Sequence, residues 1–242
     1  ETVGWRSSQT SCMTSTSLFG PYSDPQVISD SDQTDSNNSQ IRFVLPVQGT
    51  SGTIYMYVGD RYSDFTGVGT GLYVWEPLEF NGTTPVFHSL NAWVINASEG
   101  RYSKYVRLKN KSTGLFIDGM GRTSNGDDAG QWSDSTSNNQ QWMIQAIDDT
   151  GSHVQIMNRA TGLSLDGMGR TTNGDNLGQS SYSGNDSQIF GQVNSGDYVK
   201  FHCEGNDLYI DGMGRTTNGD DVGQWSWSSS SNQEWEYTDH SL

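Results

Sequence analysis

Three aspartates begin copies of one motif in the C-terminal part of the sequence. Each starts the pentapeptide D-G-M-G-R, and these anchor aspartates are Asp118, Asp166 and Asp211. A glutamine follows 13 residues after each anchor, at Gln131, Gln179 and Gln224. A carboxylate accepts hydrogen bonds from two hydroxyl groups at once, and an amide both donates and accepts. The repeated residues are therefore suited to holding a hydroxyl-bearing ligand by hydrogen bonds.

A second group of residues follows each anchor at fixed spacing. Sixteen residues after the anchors, at what we call the platform position, stand Asp134, Tyr182 and Trp227. Further polar side chains come next: Asn139 with Gln140, Ser187 with Gln188 near Asn185, and Asn232 with Gln233. An aromatic ring at the platform position can stack on the apolar face of a ligand. Only the second and third copies combine an anchor aspartate with an aromatic ring. We therefore expect ligand binding to be strongest in the third copy, weaker in the second and weakest in the first.

The anchors also have a purely structural interpretation. An aspartate before glycine often satisfies its own backbone in a turn. Arg122, Arg170 and Arg215 recur four residues after the anchors, where a brace between copies is favoured over ligand contact. The acidic N-G-D-D stretches lack the ligand spacing of a calcium loop, so no metal site is expected and turn chemistry explains them better.

The spacing of the copies indicates the elements that position these residues. The anchors are 48 and then 45 residues apart, and the three copies cover nearly all of 103–239. Apolar residues alternate before each anchor, as at Val106 and Leu108, which predicts short antiparallel strands. An aromatic 24 residues after each anchor, at Trp142, Phe190 and Trp235, is predicted to be core. One such unit cannot bury its apolar face alone, so we expect three to share a core around a pseudo-threefold axis.

The repeated D-G-M-G-R, followed by G-Q-W/S and closed by Q-x-W/F, resembles the ricin B-type β-trefoil of carbohydrate-binding module family 13. The resemblance covers about 137 residues. It implies a β-trefoil over 103–242 with a galactose- or xylose-type site in each repeat. A pyranose offers vicinal hydroxyls to a carboxylate and an apolar face to a ring. The expected sugar-binding residues are Asp211, Gln224, Trp227, Asn232, Gln233, Asp166, Gln179, Tyr182, Gln188, Asp118, Gln131, Asn139 and Gln140.

Residues 1–102 contain no repeat, and their apolar runs predict strands beginning near Ile41, Thr53, Gly71 and Pro85. The order of YMYVGDRYSD, LYVWEPLEF and LNAWVI, after GWRSSQTSCMTSTSLFGPYSDP, resembles the last part of a glycoside hydrolase family 43 propeller of the exo-β-1,3-galactanase branch. That resemblance implies a partial propeller lacking about two-thirds of its blades. It also places Gln40 where an amide stands in for the catalytic base, with the general acid upstream of Glu1. A capping or solvated role is the alternative for Gln40.

Composition excludes several classes of function. The 242 residues allow one or two domains, and 13 Lys and Arg against 28 Asp and Glu give a net charge of −15. Such a chain is repelled by nucleic acid and by anionic membranes. The sequence has no apolar run long enough to span a membrane and no cofactor motif. Cys12 and Cys203 are expected to be small buried hydrophobes.

The N-terminal sequence lacks a signal peptide, which predicts an already processed chain. Acceptor tripeptides for N-glycosylation, which favour a secreted, extracellular protein, occur at Asn37, Asn81, Asn96, Asn110 and Asn185.

The sequence thus predicts an all-β protein with a C-terminal β-trefoil preceded by a partial propeller-like sheet. The leading hypothesis is a lectin module that binds galactose-containing glycans. The alternative is the C-terminal piece of a cleaved exo-β-1,3-galactanase, active only with its N-terminal propeller portion. A structural secreted protein with a degenerate trefoil is a third possibility. Residues 1–102 are expected to need a cover, from the trefoil, a second copy of the chain or a missing propeller fragment.

Overall fold

A computed structural model describes residues 9–28, 36, 38–61, 72–87, 90, 93–148 and 150–238. The chain divides into two compact units, Glu1–Tyr102 and Ser103–Leu242. Among the described residues, no helix has the length and apolar character needed to cross a membrane.

The described part of the first unit is built of strands. They are β1 (Ser11–Cys12), β2 (Gln26–Val27), β3 (Gln40–Gln48), β4 (Thr53–Arg61), β5 (Leu72–Asn81), β6 (Thr84–Phe87) and β7 (Trp93–Asn96). Strands β3 to β6 pair antiparallel in sequence order, with a bulge between Ile41 and Phe43 in β3. A four-stranded antiparallel sheet is the size of one propeller blade. The rings of Tyr57 and Phe87 pack edge to face in its core, with centroids 4.7 Å apart.

The second unit contains most of β8 (Arg101–Asn110) and the remaining elements. The strands are β9 (Phe116–Asp118), β10 (Asp127–Asp128), β11 (Gly130–Trp132), β12 (Trp142–Ala146), β13 (His153–Asn158), β14 (Ser164–Asp166), β15 (Gly178–Ser180), β16 (Phe190–Ser195), β17 (Tyr198–Cys203), β18 (Tyr209–Asp211), β19 (Gly223–Trp225) and β20 (Trp235–Thr238). Short 3₁₀ helices cover Asn138–Gln140, Asp186–Gln188 and Ser231–Gln233.

These strands form a β-trefoil, which confirms the predicted fold class. Six of them close into a ring of antiparallel pairs in the order β8, β12, β13, β16, β17, β20 and back to β8. Six more form one hairpin per repeat: β9 with β11, β14 with β15 and β18 with β19. The remaining strand, β10, pairs with β15 of the second repeat. Each repeat therefore contributes two barrel strands and one hairpin, and its anchor aspartate ends the first hairpin strand.

One hydrophobic core serves all three repeats. The aromatics that were predicted as core, Trp142, Phe190 and Trp235, are fully buried in a single cluster. The two indoles also donate hydrogen bonds, from Nε1 of Trp142 to the Ile117 carbonyl at 3.0 Å and from Trp235 to the Ile210 carbonyl at 3.1 Å. Both bonds reach the hairpin strand next to the anchor, so the core aromatic fixes the base of its own hairpin.

The glutamines 13 residues after the anchors tie neighbouring repeats together. We call them the hairpin glutamines: Gln131, Gln179 and Gln224. Nε2 of each donates to the carbonyl of the glycine that follows the anchor of another repeat, at 3.1 to 3.2 Å. Their three acceptors are Gly212, Gly119 and Gly167, respectively. All three side chains are fully buried. The prediction that they contact sugar is therefore corrected, because their amides bind backbone inside the protein.

The arginines four residues after the anchors also link the repeats, as the sequence favoured. Each donates to its own repeat's backbone and reaches an acidic or amide side chain of a neighbour, as Arg170 does to Asp128 Oδ1 at 2.7 Å. Asn176 Nδ2 donates to both Asp128 and Asp221 at 2.9 Å. Burial raises the pKa of Asp128, but the bonds from Arg170 and Asn176 outweigh it and leave that pKa below its usual value.

Two expectations about single residues need correction. Asn110 begins one of the acceptor tripeptides for N-glycosylation. It is 1% exposed, and its Nδ2 donates to the Asn232 carbonyl, so the side chain is not accessible to glycosylation in the folded protein. Cys203 is buried as expected, whereas Cys12 is partly exposed, and both are free thiols. Asn37 lies outside the described residues.

We expect Gln179→Ala to destabilise the trefoil. The change removes the hydrogen bonds that Gln179 donates to the buried Gly119 carbonyl and the partly buried Asp128 carbonyl. Each bond contributes about 0.5 to 1.5 kcal/mol, so we expect the unfolding free energy to fall by about 1 to 3 kcal/mol. Gln145→Ala is the matched control, because Gln145 is partly exposed on β12 and has no side-chain hydrogen bond to a described residue. Denaturant unfolding measures both variants. Equal stability of the two would show that the hairpin glutamines do not hold the repeats together.

Candidate functional site

Each anchor aspartate lies at the end of a hairpin strand, and its side chain stabilises the turn that follows. Oδ1 of Asp211 accepts a hydrogen bond from the backbone N–H of Met213 at 2.7 Å, and the other two anchors bind their own methionines in the same way. The methionine has a φ of 58° in all three turns. Oδ2 of each anchor has no hydrogen bond to a described residue, although the side chains are only 5 to 7% exposed. The turn interpretation is thus confirmed, and one carboxylate oxygen remains for a ligand.

Glycine after the anchor is required by the contact with the neighbouring repeat. A Cβ on Gly212 would lie 2.8 Å from the Asn110 side chain, and one on Gly119 would lie 2.9 Å from Asn158. In the third such contact, a Cβ on Gly167 would lie 2.6 Å from Sγ of Cys203. Every anchor turn is therefore packed directly against another repeat.

The structure brings Asn139 and Asn232 beside their anchors. The backbone N–H of Gly212 donates to the Asn232 carbonyl at 2.8 Å, and Gly119 donates to Asn139 at 2.9 Å. The Asn232 side chain is partly exposed, and its buried Oδ1 accepts no hydrogen bond from the described residues. Ser187 takes this position in the second repeat, where Gly167 donates to its carbonyl at 2.7 Å. Asn185 is exposed and gives no side-chain cap to its 3₁₀ helix.

The glutamine of each Q-x-aromatic triplet holds the platform position from both sides. These loop glutamines are Gln140, Gln188 and Gln233. In the third repeat, Gln233 Nε2 donates to the Ser226 carbonyl and Oε1 accepts from the Ser228 N–H, both at 2.9 Å, so that Trp227 lies between its two contacts. The other two make the same pair of bonds around Asp134 and Tyr182. All three are at most 1% exposed, so their predicted role as sugar contacts is corrected to one of positioning.

The three platform residues differ in exposure and in contacts. Trp227 is 64% exposed and Tyr182 is 42% exposed. Asp134 carries no ring, and its carboxylate forms an ion pair with the buried Arg107. The second and third repeats therefore present an exposed ring on the loop held by their loop glutamine, and the first presents a paired carboxylate.

Two groups of site residues were missed by the sequence analysis. The first group is the asparagine of each N-G-D triplet. Its Oδ1 accepts a hydrogen bond, 2.8 Å long, from the backbone N–H of the serine that precedes the platform residue of another repeat. The three asparagines are Asn125, Asn173 and Asn218. Their threefold repetition was a usable signal. The second group is the buried polar residue eleven positions before each anchor: Arg107, Gln155 and Lys200. Those three differ in type, so repetition did not reveal them.

Gln40 is the first residue of β3 and is 6% exposed. It lies opposite Asp60 of β4, and the Arg42 guanidinium is 3.6 Å from that carboxylate. Among the described residues, no group of three or more His, Cys, Asp or Glu side chains is arranged to hold a metal ion.

Comparison with known proteins identifies the second unit. The model of the ricin-type beta-trefoil lectin domain-like family matches residues 91–180. A designed threefold-symmetric protein, ThreeFoil, is 31% identical, covers 56% of this chain and 99% of its own, and has a TM-score of 0.54. The Rhizoctonia solani agglutinin, 19% identical, covers 57% of this chain and 96% of its own, with a TM-score of 0.51, and shows the fold alone. No curated protein sequence matches the chain.

One solved structure is similar to both units. It is 1,3Gal43A, an exo-beta-1,3-galactanase from Clostridium thermocellum, which is 29% identical with a TM-score of 0.52. The match covers 99% of this chain and 54% of the galactanase. The chain therefore spans about half the length of that enzyme.

We expect Gln233→Ala to release the platform loop of the third repeat. Without the amide, the Ser228 N–H loses its acceptor and the Ser226 carbonyl its donor. Hydrogen exchange at the Ser228 amide should therefore become faster, which NMR measures directly. Gln188→Ala is the matched control, since it frees the Ser183 amide of the second repeat instead. Unchanged protection of Ser228 in Gln233→Ala would contradict the positioning role.

Proposed function

Because the chain belongs to the ricin-type β-trefoil lectin family, a class of carbohydrate-binding domains, we propose that it binds glycans with terminal β-galactosyl residues through its third and second repeats. The observation that carries the proposal is the presence, in these repeats, of an anchor carboxylate with one oxygen unused and an exposed ring held on the adjacent loop.

The backbone connections support placing anchor and ring in one site. Gly212, next to the Asp211 anchor, donates to Asn232, and the adjacent Gln233 binds the residues on both sides of Trp227. Only two hydrogen-bonded steps therefore separate the carboxylate from the ring. The same two steps link Asp166 to Tyr182.

The chemistry of this arrangement suits galactose. Oδ2 of the anchor and the partly exposed amide of Asn232 offer an acceptor and a donor to neighbouring hydroxyls. The axial 4-hydroxyl of galactose leaves a continuous row of C–H groups on one face of the sugar, which stacks on an aromatic ring. The similarity to an enzyme named for β-1,3-galactan favours galactose over other hexoses.

A second candidate function concerns the first unit. We propose that residues 1–102 are part of a galactanase catalytic unit that needs further polypeptide to act, since the similarity to 1,3Gal43A extends over both units and leaves nearly half of that enzyme unmatched. Glycoside hydrolysis normally requires a protonated general acid. The carboxyl group of Asp60, opposite Gln40, lies 3.6 Å from the Arg42 guanidinium.

Asp211→Ala or Trp227→Ala should weaken binding to a methyl β-galactoside about tenfold or more, because each change removes a hydrogen bond or a stacking surface that contributes about 1 to 3 kcal/mol. Asp118→Ala is the matched control and should have the smallest effect, because its repeat lacks a ring. Isothermal titration measures the affinities. Loss of binding in Asp118→Ala with intact binding in Asp211→Ala would reverse the proposed order of the repeats.

The 242-residue chain alone should not release galactose from β-1,3-galactan above background. General acid catalysis contributes about 10²- to 10⁴-fold to such rates, and nearly half of the similar galactanase has no counterpart in this chain. The assay compares galactose release by the recombinant chain and by 1,3Gal43A. Sustained turnover by the recombinant chain would show that a general acid lies within these residues.

A further inference from the structure

A buried polar residue lies eleven positions before each anchor, on the first barrel strand of its repeat. These residues are Arg107 on β8, Gln155 on β13 and Lys200 on β17, and each is 5% exposed. A long polar side chain is costly to bury unless a partner satisfies it. These three residues have different hydrogen-bond partners, and the difference follows the type of platform residue that each repeat carries.

In the third repeat, Lys200 contacts the platform loop at two places. Its Nζ donates to the Ser228 carbonyl at 2.7 Å and lies 5.7 Å from the centroid of the Trp227 ring. The lysine is almost fully buried, whereas 64% of the tryptophan is exposed. The ammonium group therefore contacts the ring from the protein side and leaves the outer side to solvent. A cation within about 6 Å of an indole centroid attracts the ring electrostatically.

The first repeat uses the same position differently. Arg107 Nη1 binds the Asp134 carboxylate and lies 3.4 Å from the Ser135 carbonyl, which corresponds to that of Ser228. The cation thus contacts the platform residue and the carbonyl after it in both repeats. A planar guanidinium matches a carboxylate, and a compact ammonium can lie against a ring.

The second repeat has no cation at this position. Gln155 Nε2 donates to the Ser164 hydroxyl at 2.6 Å, on the hairpin strand β14. Tyr182 is held by its loop backbone, and no cationic side chain among the described residues lies over its ring. Its exposed ring is also smaller than an indole.

We infer that Lys200 is a positioning residue that holds the Trp227 ring in the orientation used for sugar stacking. The inference rests on the proposed function of the third repeat. It adds that the residue eleven positions before the anchor determines how firmly each platform is held. The third repeat binds a galactoside more tightly than the second because a buried cation contacts the Trp227 ring, whereas no cation of the described residues contacts the Tyr182 ring.

The test replaces Lys200 by glutamine, which the second repeat accommodates at the same position, and by arginine, which keeps the cation. Asp166→Ala in every variant restricts binding to the third repeat. Lys109→Gln is the matched control, since Lys109 also lies over a ring, that of Phe116 of the first repeat, at 6.0 Å from its centroid. Methyl β-galactoside affinity is measured by titration. Circular dichroism and thermal unfolding show that each variant is folded.

Lys200→Gln should weaken galactoside binding on the order of three- to tenfold. Lys200→Arg should restore most of the affinity, and Lys109→Gln should leave it unchanged. Equal affinities of folded Lys200→Gln and its parent would overturn the inference.

A second readout needs no sugar and separates this inference from the proposed function. The indole N–H resonance of Trp227, identified by its absence in Trp227→Phe, should shift and broaden in Lys200→Gln and be largely retained in Lys200→Arg. If the parent binds no galactoside, the proposed function fails, and the resonance still decides whether Lys200 positions the ring. An indole resonance unaffected by Lys200→Gln would overturn the positioning role.

Discussion

The trefoil depends on one hydrogen bond made three times, from each hairpin glutamine to the carbonyl of the glycine after another repeat's anchor. The donors are Gln131, Gln179 and Gln224, and all are fully buried. Each anchor turn is therefore stabilised by the hairpin glutamine of another repeat, so that no repeat forms its candidate site alone. The absence of a side chain on the accepting glycine allows this close approach. A buried donor or acceptor left unpaired costs free energy, so each repeat needs its neighbours in order to be stably folded.

The same arrangement explains how the repeats can differ in function while sharing a fold. Each platform loop is held through main-chain groups, by its loop glutamine on both sides and by an asparagine of another repeat. The platform side chain itself contributes little to this framework. Asp134 and Trp227 therefore occupy equivalent loops, and what differs between them is the exposed chemistry and the buried residue behind it.

Periodicity and repeated spacing predicted the three repeats, their shared core, the core aromatics and the anchor turns, and the resemblance to a known family implied the trefoil. The roles of Gln179 and Gln233 could not be derived in that way. An amide can bind a ligand or a backbone carbonyl, and the choice depends on which main-chain groups the folded protein places beside it. Arg107 and Lys200 illustrate another limit. Alternation with Val106 or Val199 directs them away from the barrel core, which indicates solvent exposure, but the platform loop folds over them and buries them.

We propose that the third and second repeats hold galactosides between an anchor carboxylate and an exposed ring. A crystal structure of the full chain with saturating methyl β-galactoside would locate the bound sugars. Two are expected, one stacked on Trp227 and bonded to Asp211, the other stacked on Tyr182 and bonded to Asp166. A sugar bound beside Asp134 with none at Trp227, or a sugar at Trp227 without a contact to Asp211, would rule out this mode of binding.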